Sequence, residues 1–282
     1  MKEEEIKTDY SFIKNYRLNK LKEDNVHKLN WLFLPGGPGM GANYLIDFVA
    51  RLDLQGSLFI GDFPGDGDNR NTEEISYEDW KSGLIEVVTK LHPCILVTHS
   101  FSGMFALTID SLEKLLVGLV IMNSAPDNSW IGLIKEAATK YNLPDISNDL
   151  KELYTNPTDH QLKKFFYANI PYIFCEHEIT EGTKILELSP YNIKTRIWGD
   201  QEFHNWYQHS WIPEKLPTLI IGSHDDRLLP IKLFLGNTEW SRPNIKIIEL
   251  HGTGHFPWLS CFDRINEELS GLTKDINELG LL

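Results

Sequence analysis

The sequence predicts an α/β protein in which a mostly parallel central sheet is flanked by helices. Three observations support this prediction. Short apolar, β-branched runs recur along the chain, longer amphipathic stretches separate most of them, and each run ends near Gly, Pro, Asp or Asn. Strands that alternate with helices are typical of a parallel sheet covered on both faces, and such strands are apolar along nearly their whole length.

The individual elements follow from the same pattern. Six runs have the length of a buried strand, and they occupy residues 29–34, 58–61, 94–98, 117–122, 219–222 and 245–250. Residues 77–91 and 101–115 have the spacing of apolar residues expected for amphipathic helices. Each of these helical stretches lies between two predicted strands, as a crossover connection requires.

One long segment, residues 127–212, breaks this alternation. It is rich in aromatic residues, contains no clear strand and is too long for a loop within a compact domain. We therefore expect a mostly helical insertion, a cap, between two strands of the sheet. Most of its aromatic side chains should form the core of the cap, and a few should line a pocket. The predicted organisation is a core of residues 1–126 and 213–282 with a cap of residues 127–212.

Composition excludes several classes of function. The 282-residue chain has a formal net charge of −13 and no cluster of Lys or Arg, so phosphate backbones and anionic lipid surfaces repel it. We expect no nucleic-acid partner and no membrane insertion. The three cysteines are far apart and form no CxxC pair, which argues against a zinc site or a disulfide framework. Together with an acidic N-terminus unlike a signal peptide, this favours a cytoplasmic location.

The first motif with chemical content surrounds Ser100. Residues 98–103 read Thr-His-Ser-Phe-Ser-Gly, between a predicted strand and a helical pattern. A serine hydroxyl is a poor nucleophile unless a base takes its proton and the oxygen faces the substrate. A sharp strand-to-helix turn with small flanking residues, usually G-x-S-x-G, meets the second need. Here Thr98 and Ser102 occupy the small positions, so the motif alone fits a nucleophile and an ordinary strand-end serine about equally.

This turn resembles the nucleophile elbow of the α/β-hydrolase superfamily, and further motifs follow in the order that the resemblance requires. Residues 34–39, Leu-Pro-Gly-Gly-Pro-Gly, resemble the family's HGGPG loop, with Pro35 where the family usually has His. The resemblance implies that the amides of Gly37 and Phe101 form the oxyanion hole, for which backbone N–H groups must already point at the developing charge. Residues 62–67 resemble a D-x-P-G-x-G turn with a mainly structural role.

The downstream motifs supply the acid and the base. Residues 218–230 resemble the G-x-x-D-x-x-x-P segment in which an aspartate orients the catalytic histidine, and Asp225 is the residue chosen. Adjacent Asp226 and, after an earlier strand, Asp127 remain alternatives. Residues 252–257, Gly-Thr-Gly-His-Phe-Pro, resemble the loop that carries the histidine, which makes His255 the candidate base. The order Ser…Asp…His is that of the α/β-hydrolase fold.

The resemblance implies an α/β-hydrolase fold, in which the helical cap expected from the segment 127–212 would be inserted after the sixth strand. It also implies a serine hydrolase that cleaves a small ester or related acyl bond through Ser100, His255 and Asp225, by way of an acyl-enzyme. No cofactor or metal is required. The expected partner is a small-molecule acyl substrate, and the oligomeric state is left open. A serine at the elbow excludes the dehalogenases and epoxide hydrolases of this superfamily that use aspartate there.

Alternatives to an esterase remain open. The GGPG loop resembles that of prolyl iminopeptidase-like members, which suggests a prolyl-type aminopeptidase. Such an enzyme needs cap carboxylates to hold the free amine, and the available acids are Glu176, Glu178, Asp200 and Glu202. Thioester and carbon–carbon bond hydrolysis are compatible with the same triad. From other classes, the chain could be a non-catalytic ligand-binding protein of this fold, or an interaction protein whose aromatic cap is the partner surface.

Overall fold

A single sheet organises the part of the chain that the computed structural model describes, residues 10–72 and 74–281. Within these residues the sheet has eight strands in the order β1-β2-β4-β3-β5-β6-β7-β8. Strands β3 to β8 pair in parallel, whereas β1 and β2 pair antiparallel at one edge. The strands are β1 Tyr10–Ile13, β2 Tyr16–Lys22, β3 Asn30–Leu34, β4 Ser57–Asp62, β5 Cys94–His99, β6 Gly118–Met122, β7 Thr218–Ser223 and β8 Ile245–Leu250.

The six strands predicted from apolar runs are β3 to β8, and every predicted end lies within one residue of the observed end. The hairpin of β1 and β2 was not predicted. Its turn residues Lys14 and Asn15 have φ values of 45° and 66°, a conformation that such hairpin turns require and that glycine usually supplies. Residues 1–9, which include most of the N-terminal stretch used to argue against a signal peptide, lie outside the described residues.

Helices cover both faces of the sheet. Neighbouring residues of one strand belong to different apolar clusters, as Leu96 and Val97 of β5 do, because successive side chains point to opposite faces. The helices are α1 Ile46–Ala50, α2 Tyr77–Lys90, α3 Phe101–Ala106, α4 Leu112–Leu115, α5 Trp130–Lys140, α6 Ser147–Thr155, α7 Asp159–Ala168, α8 Ile170–Ile173, α9 Ile179–Leu188, α10 Ile193–Trp198, α11 Lys232–Leu235 and α12 Trp258–Glu278. The helix predicted over residues 101–115 is interrupted and forms α3 and α4.

The segment between β6 and β7 is helical. Helices α5 to α10 lie in it, with a short 3₁₀ turn at Glu176–Glu178 and a π-helical turn at Gly199–Phe203. Its only β-type pairing in the described chain is an isolated bridge between Asp127 and Gln208, near its two ends. The chain therefore leaves the sheet after β6, forms these helices and returns to the sheet at β7.

Candidate active site

Ser100 lies at a sharp turn between β5 and α3. Its backbone has φ 56° and ψ −118°, a region that residues with a side chain rarely adopt. Two hydrogen bonds hold the turn: the Ser100 N–H donates to the Met122 carbonyl at 2.9 Å, and the Ser124 hydroxyl donates to the Ser100 carbonyl at 2.8 Å. The strained turn therefore has support from the neighbouring strand β6 and the loop after it.

The chain segments around this turn approach closely. A Cβ on Gly36 would lie 2.8 Å from the Cβ of Ser100, and one on Gly103 would lie 2.5 Å from the Ser124 Oγ. Thr98 and Ser102, which replace the glycines of the usual motif, are buried, and their hydroxyls donate to strand carbonyls. Their side chains thus fit because each hydroxyl has a partner.

Three side chains from three loops meet at the carboxyl edge of the sheet. The His255 Nε2 lies 2.9 Å from the Ser100 Oγ, and the His255 Nδ1 lies 2.8 Å from the Asp226 Oδ2. Ser100 follows β5, Asp226 follows β7 and His255 follows β8, so parallel pairing brings the three strand ends to one edge. The spacing is that of a nucleophile hydrogen-bonded to a base that a carboxylate orients.

The choice of Asp225 as the partner of His255 is wrong, because the carboxylate bonded to His255 is that of Asp226. Asp225 faces the surface side of the same loop, where its Oδ2 accepts a hydrogen bond from the Gly252 N–H at 2.8 Å. Asp127, the other alternative, accepts from a backbone N–H within its own turn. The physical reason is local, since two adjacent loop residues project in different directions and only one can reach the histidine.

Asp226 is buried, and its environment keeps it ionised. Burial alone would raise the pKa of this carboxyl, but the charge of His255 and hydrogen bonds from His255, the Leu229 N–H and the Asn123 amide outweigh burial and lower the pKa. The second oxygen, Oδ1, accepts from the backbone N–H groups of Leu228 and Leu229 at 2.8 and 3.0 Å. An ionised Asp226 can therefore accept a hydrogen bond from a proton on the His255 Nδ1. The supporting role of Asn123 had no signal in the sequence.

The glycine-rich loop after β3 is held by buried aspartates. Asp62 Oδ1 accepts from the Ala42 N–H at 2.6 Å, and Asp66 Oδ2 accepts from the Gly39 N–H at 3.1 Å. Burial raises the pKa of Asp62 to about 7. These contacts agree with a structural role for the D-x-P-G-x-G turn, which fixes the loop that carries Gly37.

The amides predicted to form the oxyanion hole have no competing partner in the part of the chain that the structure describes. Among the described residues, neither the Gly37 N–H nor the Phe101 N–H donates a hydrogen bond. Gly37 has a φ of 113°, which a side chain would disfavour. Gly37 and Phe101 both line the same cavity as Ser100. Both amides are thus available to a ligand.

The loop that carries His255 is attached to the helical segment between β6 and β7. The buried carboxylate of Glu178 accepts four hydrogen bonds, of which two come from Thr253 and Gly254, just before His255, at 2.7 and 2.9 Å. The other two donors are the Cys175 N–H and the Ser260 hydroxyl, at 2.9 and 2.6 Å.

His255 itself is bonded to the same segment, because its N–H donates to the Ile173 carbonyl at 2.8 Å. The position of the histidine therefore depends on helical residues that are remote in the chain. Sequence reasoning considered Glu178 only as a ligand for a substrate amine and missed this contact.

A cavity of about 460 Å³ opens above Ser100 and His255. Its wall is mostly apolar, and the segment between β6 and β7 contributes much of it. The apolar lining residues from that segment are Trp130, Ile131, Ile134, Ile146, Leu150, Phe165, Phe166 and Ile173. The expectation that a few aromatic residues of this segment line a pocket agrees with this arrangement.

Two charged features interrupt the apolar wall, the exposed Lys135 and the pair of Arg196 and Asp200. Asp200 accepts from the Arg196 Nε at 2.8 Å and from the Tyr154 hydroxyl at 2.7 Å. Among the four acids considered for binding an amine, Asp200 alone lines the cavity, and Arg196 already compensates its charge. Glu176 and Glu202 are exposed outside the cavity.

Two further histidines directly follow the strands β7 and β8. His224 and His251 both approach Glu249, at 2.9 and 3.9 Å, on the exposed side of the β7 and β8 ends.

Among residues 10–72 and 74–281, no group of three His, Cys, Asp or Glu side chains has the arrangement of a metal site. In that same part of the chain, no helix is both long and apolar enough to cross a membrane.

Comparison with known proteins identifies the family. A sequence profile of the alpha/beta hydrolase family matches residues 31–268, so the chain belongs to that family. This confirms the resemblance and the predicted fold class. No protein in a curated set matches the sequence.

Solved structures share the fold at low sequence identity. A proline iminopeptidase from Mycobacterium smegmatis superposes with a TM-score of 0.68 at 17% identity, over 97% of this chain and 99% of that one. A thermophilic esterase from Thermogutta terrifontis gives 0.67 at 13% identity, over 93% of each chain. An alpha/beta fold family hydrolase from Bacillus anthracis str. Sterne gives 0.68 at 15% identity, over 95% and 99%. At these identities the likeness shows the fold alone.

Proposed function

We propose that this protein is a serine hydrolase that cleaves a small, uncharged carboxylic ester through Ser100, His255 and Asp226. The observation that carries the proposal is the unbroken hydrogen-bonded chain from the Ser100 Oγ through both ring nitrogens of His255 to the Asp226 carboxylate. Each member belongs to a different loop, and the strained backbone of Ser100 is kept by its surroundings. Such strain with support is typical of a functional site.

The reaction follows from the direction of these hydrogen bonds. Asp226 is ionised, so the His255 Nδ1 carries the proton and the Nε2 accepts from the Ser100 hydroxyl. As the serine oxygen attacks the ester carbonyl carbon, its proton moves to the Nε2, which then delivers it to the departing alcohol. A water molecule then attacks the acyl carbon and gives its proton to the Nε2, and His255 passes this proton to the Ser100 Oγ as the bond between that oxygen and the acyl group breaks and the acid leaves.

The negative charge on the carbonyl oxygen needs donors that are already in place. We propose the N–H groups of Gly37 and Phe101 for this role, in agreement with the family resemblance. Support comes from their position in the cavity wall and from the lack of another acceptor among the described residues. Donors fixed before the reaction stabilise the developing charge without reorganisation.

The cavity favours an ester over an aminoacyl substrate. A free α-amine in an apolar cavity requires a carboxylate whose charge is not already compensated. Asp200 lines the cavity but is paired with Arg196, and Glu178 is occupied by four donors of its own surroundings. An uncharged acyl or alcohol group needs neither carboxylate and is stabilised by the apolar wall.

We further propose that residues 127–212 act as the cap of the enzyme and determine its choice of substrate. The helices of this segment supply most of the apolar wall that faces Ser100. They also contact the His255 loop through Ile173 and Glu178.

Labelling with a fluorophosphonate probe tests the proposed function. We expect the wild type to be labelled on Ser100, as mass spectrometry of the labelled peptide will show, and Ser100→Ala to remain unlabelled. The exposed Ser82→Ala serves as the matched control and should label as the wild type does. A folded wild type that binds esters tightly but is neither labelled nor active would contradict the proposal and favour a ligand-binding role.

A substrate panel then separates the two enzymatic alternatives. We expect p-nitrophenyl esters with short or medium acyl chains to be hydrolysed, and proline naphthylamide to show no measurable turnover. A rate on proline naphthylamide that is lost on N-acylation would instead support the aminopeptidase.

A further inference from the structure

A second chain of hydrogen bonds connects the glycine-rich loop with the His255 loop. The Gly36 N–H donates to the Tyr44 Oη at 2.6 Å, and the Tyr44 Oη lies 2.8 Å from the His99 Nδ1. The His99 Nε2 lies 2.9 Å from the carbonyl oxygen of His255. Tyr44 and His99 therefore join the two loops that the proposed chemistry requires to be in register.

The protons in this chain have only one consistent arrangement. The His255 carbonyl can only accept, so the His99 Nε2 carries a proton. Burial and the nearby His255 lower the pKa of His99 to about 3, so its ring is neutral and its Nδ1 is an acceptor. Burial raises the pKa of Tyr44 far above its ordinary value. The Tyr44 hydroxyl thus accepts from Gly36 and donates to His99, and each group has its partner.

Packing leaves these rings little freedom. Both side chains are buried. The ring of Tyr44 stacks on that of Trp258, with 6.1 Å between the ring centroids, and meets the ring of Phe256 edge-on, with 5.3 Å between the centroids. The centroid of the His99 ring lies 4.9 Å from the ring centroids of both His255 and Trp258. A rotation of either ring would break a buried hydrogen bond and a ring contact together, so the bridge can fix distances between the loops.

We propose that Tyr44 and His99 are positioning residues that hold the oxyanion loop and the His255 loop at the separation required for acyl transfer. The proposal rests on the proposed serine hydrolase function. Gly36 precedes Gly37, whose amide is the proposed oxyanion donor, and His99 precedes Ser100. The bridge therefore touches the segments that carry the nucleophile, the base and the oxyanion hole, although among the described residues neither side chain hydrogen-bonds to the Ser100 hydroxyl or the His255 ring.

Removing a single oxygen tests the bridge. Tyr44→Phe keeps the ring packing but removes the acceptor of the Gly36 N–H and the donor to His99. We expect kcat to fall about tenfold with KM changed less than about twofold, because misplaced groups weaken the transition state more than binding. The affinity of a trifluoromethyl ketone, which mimics the tetrahedral state, should fall in parallel with kcat/KM. A role confined to folding would leave that affinity unchanged.

Tyr16→Phe is the matched control. Tyr16 is also fully buried, and its hydroxyl donates to a backbone carbonyl, that of Trp80, at 2.8 Å, but the contact lies away from the site. We expect this variant to melt at a lower temperature while its kcat and ketone affinity stay within about twofold of the wild type. Equal kinetic losses in both tyrosine variants would overturn the positioning role.

A second substitution shows whether the bridge acts as a unit and serves if Tyr44→Phe folds poorly. His99→Phe removes both bonds of His99 and keeps an aromatic ring. We expect the double variant Tyr44→Phe/His99→Phe to lose no more activity than His99→Phe alone, because both changes break one connection. Losses that multiply would contradict the bridge. An inactive wild type would overturn the proposed function, whereas an active wild type matched by Tyr44→Phe would overturn only this inference.

Discussion

The turn at Ser100 and the cap-side wall of the cavity, which is the part supplied by the proposed cap of residues 127–212, are packed in opposite ways. At the turn, glycines bring backbones into contact and the hydroxyls of Thr98 and Ser102 each have a partner. In the cap-side wall, α5 has no fully buried residue, although it faces the cavity. A Cβ on Gly132, in the first turn of that helix, would meet nothing within 4 Å.

This difference separates chemistry from substrate choice. Reacting groups need positions accurate to a fraction of an ångström, which close packing and complete hydrogen bonding provide. A wall that contacts a substrate only through apolar surface needs less accuracy and tolerates change. We therefore expect substitutions at the turn and its supports to affect turnover, and substitutions in α5 to affect which substrate is preferred.

The adjacent acids Asp226 and Asp225 provide the largest predicted difference. We expect Asp226→Asn to lower kcat by about 10⁴-fold, because the amide no longer keeps the His255 proton on the Nδ1. Asp225→Asn should change kcat less than about twofold, because that carboxylate accepts from the Gly252 N–H at the surface. Steady-state ester hydrolysis measures both. A reversed order of the two variants would return the catalytic role to Asp225.

Glu178 tests whether the cap and the catalytic loop form one structure. Glu178→Ala leaves two buried backbone N–H groups, those of Cys175 and Gly254, without partners and should destabilise the fold by about 4 kcal/mol. Glu178→Gln should restore most of this, because the hydroxyls of Thr253 and Ser260 can turn to accept from its amide. Urea denaturation measures the stabilities.

The exposed Glu176→Ala is the control for this pair and should match the wild type within about 0.5 kcal/mol. If Glu178→Ala is as stable as the wild type, the hydrogen bonds of Glu178 do not fix the His255 loop.

Two glycines compare the packing of the regions directly. Gly103→Ala places a methyl group against buried Ser124 and should destabilise the fold by up to about 3 kcal/mol, with loss of activity. Gly132→Ala in α5 meets open space and should stabilise the fold by about 0.5–1 kcal/mol, because alanine favours helix. Thermal or urea unfolding gives both values. Equal effects at the two positions would remove the contrast between turn and cap.

The smallest effect concerns pH and a buried histidine of the cap. Burial lowers the pKa of His204 to about 4, whereas the unfolded chain titrates near 6.5. Between pH 7 and pH 5 the unfolded state therefore takes up a proton that the folded state does not, and stability falls as the pH falls. We expect His204→Gln to lose about 2 kcal/mol less than the wild type over this interval.

Unfolding in urea at both pH values checks this expectation. The comparison of variants is needed because Asp62, whose pKa is raised to about 7, titrates in the same interval with the opposite sign. Identical losses for the wild type and His204→Gln would mean that His204 is protonated in the folded state.

The sequence predicted those parts of the fold and the site that a short, continuous stretch of residues determines. Strands buried on both faces are apolar throughout, so β3 to β8 could be located within a residue. The turn at Ser100 and the loop at His255 were identified because each is local and follows a strand. The hairpin of β1 and β2 lies at the sheet edge, where burial is partial and apolar and polar residues mix, and it was missed.

Contacts between distant segments could not be predicted. Asp225 and Asp226 differ by one position, and the backbone of their loop decides which one reaches His255. Tyr44, Glu178 and Asn123 act through partners more than 50 residues away, and no local pattern marks them. The cap wall is equally hidden, because its apolar residues fit a helical core and a cavity lining alike.

The bonds from Ile173 and Glu178 to the His255 loop limit how this enzyme can be altered by recombination. A lid that only covered a cavity could be replaced as a unit by the lid of a relative. In this protein, replacing the segment that contains Ile173 and Glu178 would remove the acceptors of the His255 and Gly254 N–H groups. A chimaera that keeps residues 173–178 from this chain should keep His255 in place, whereas one that replaces them would need the relative's own histidine loop to be transplanted together with the relative's cap.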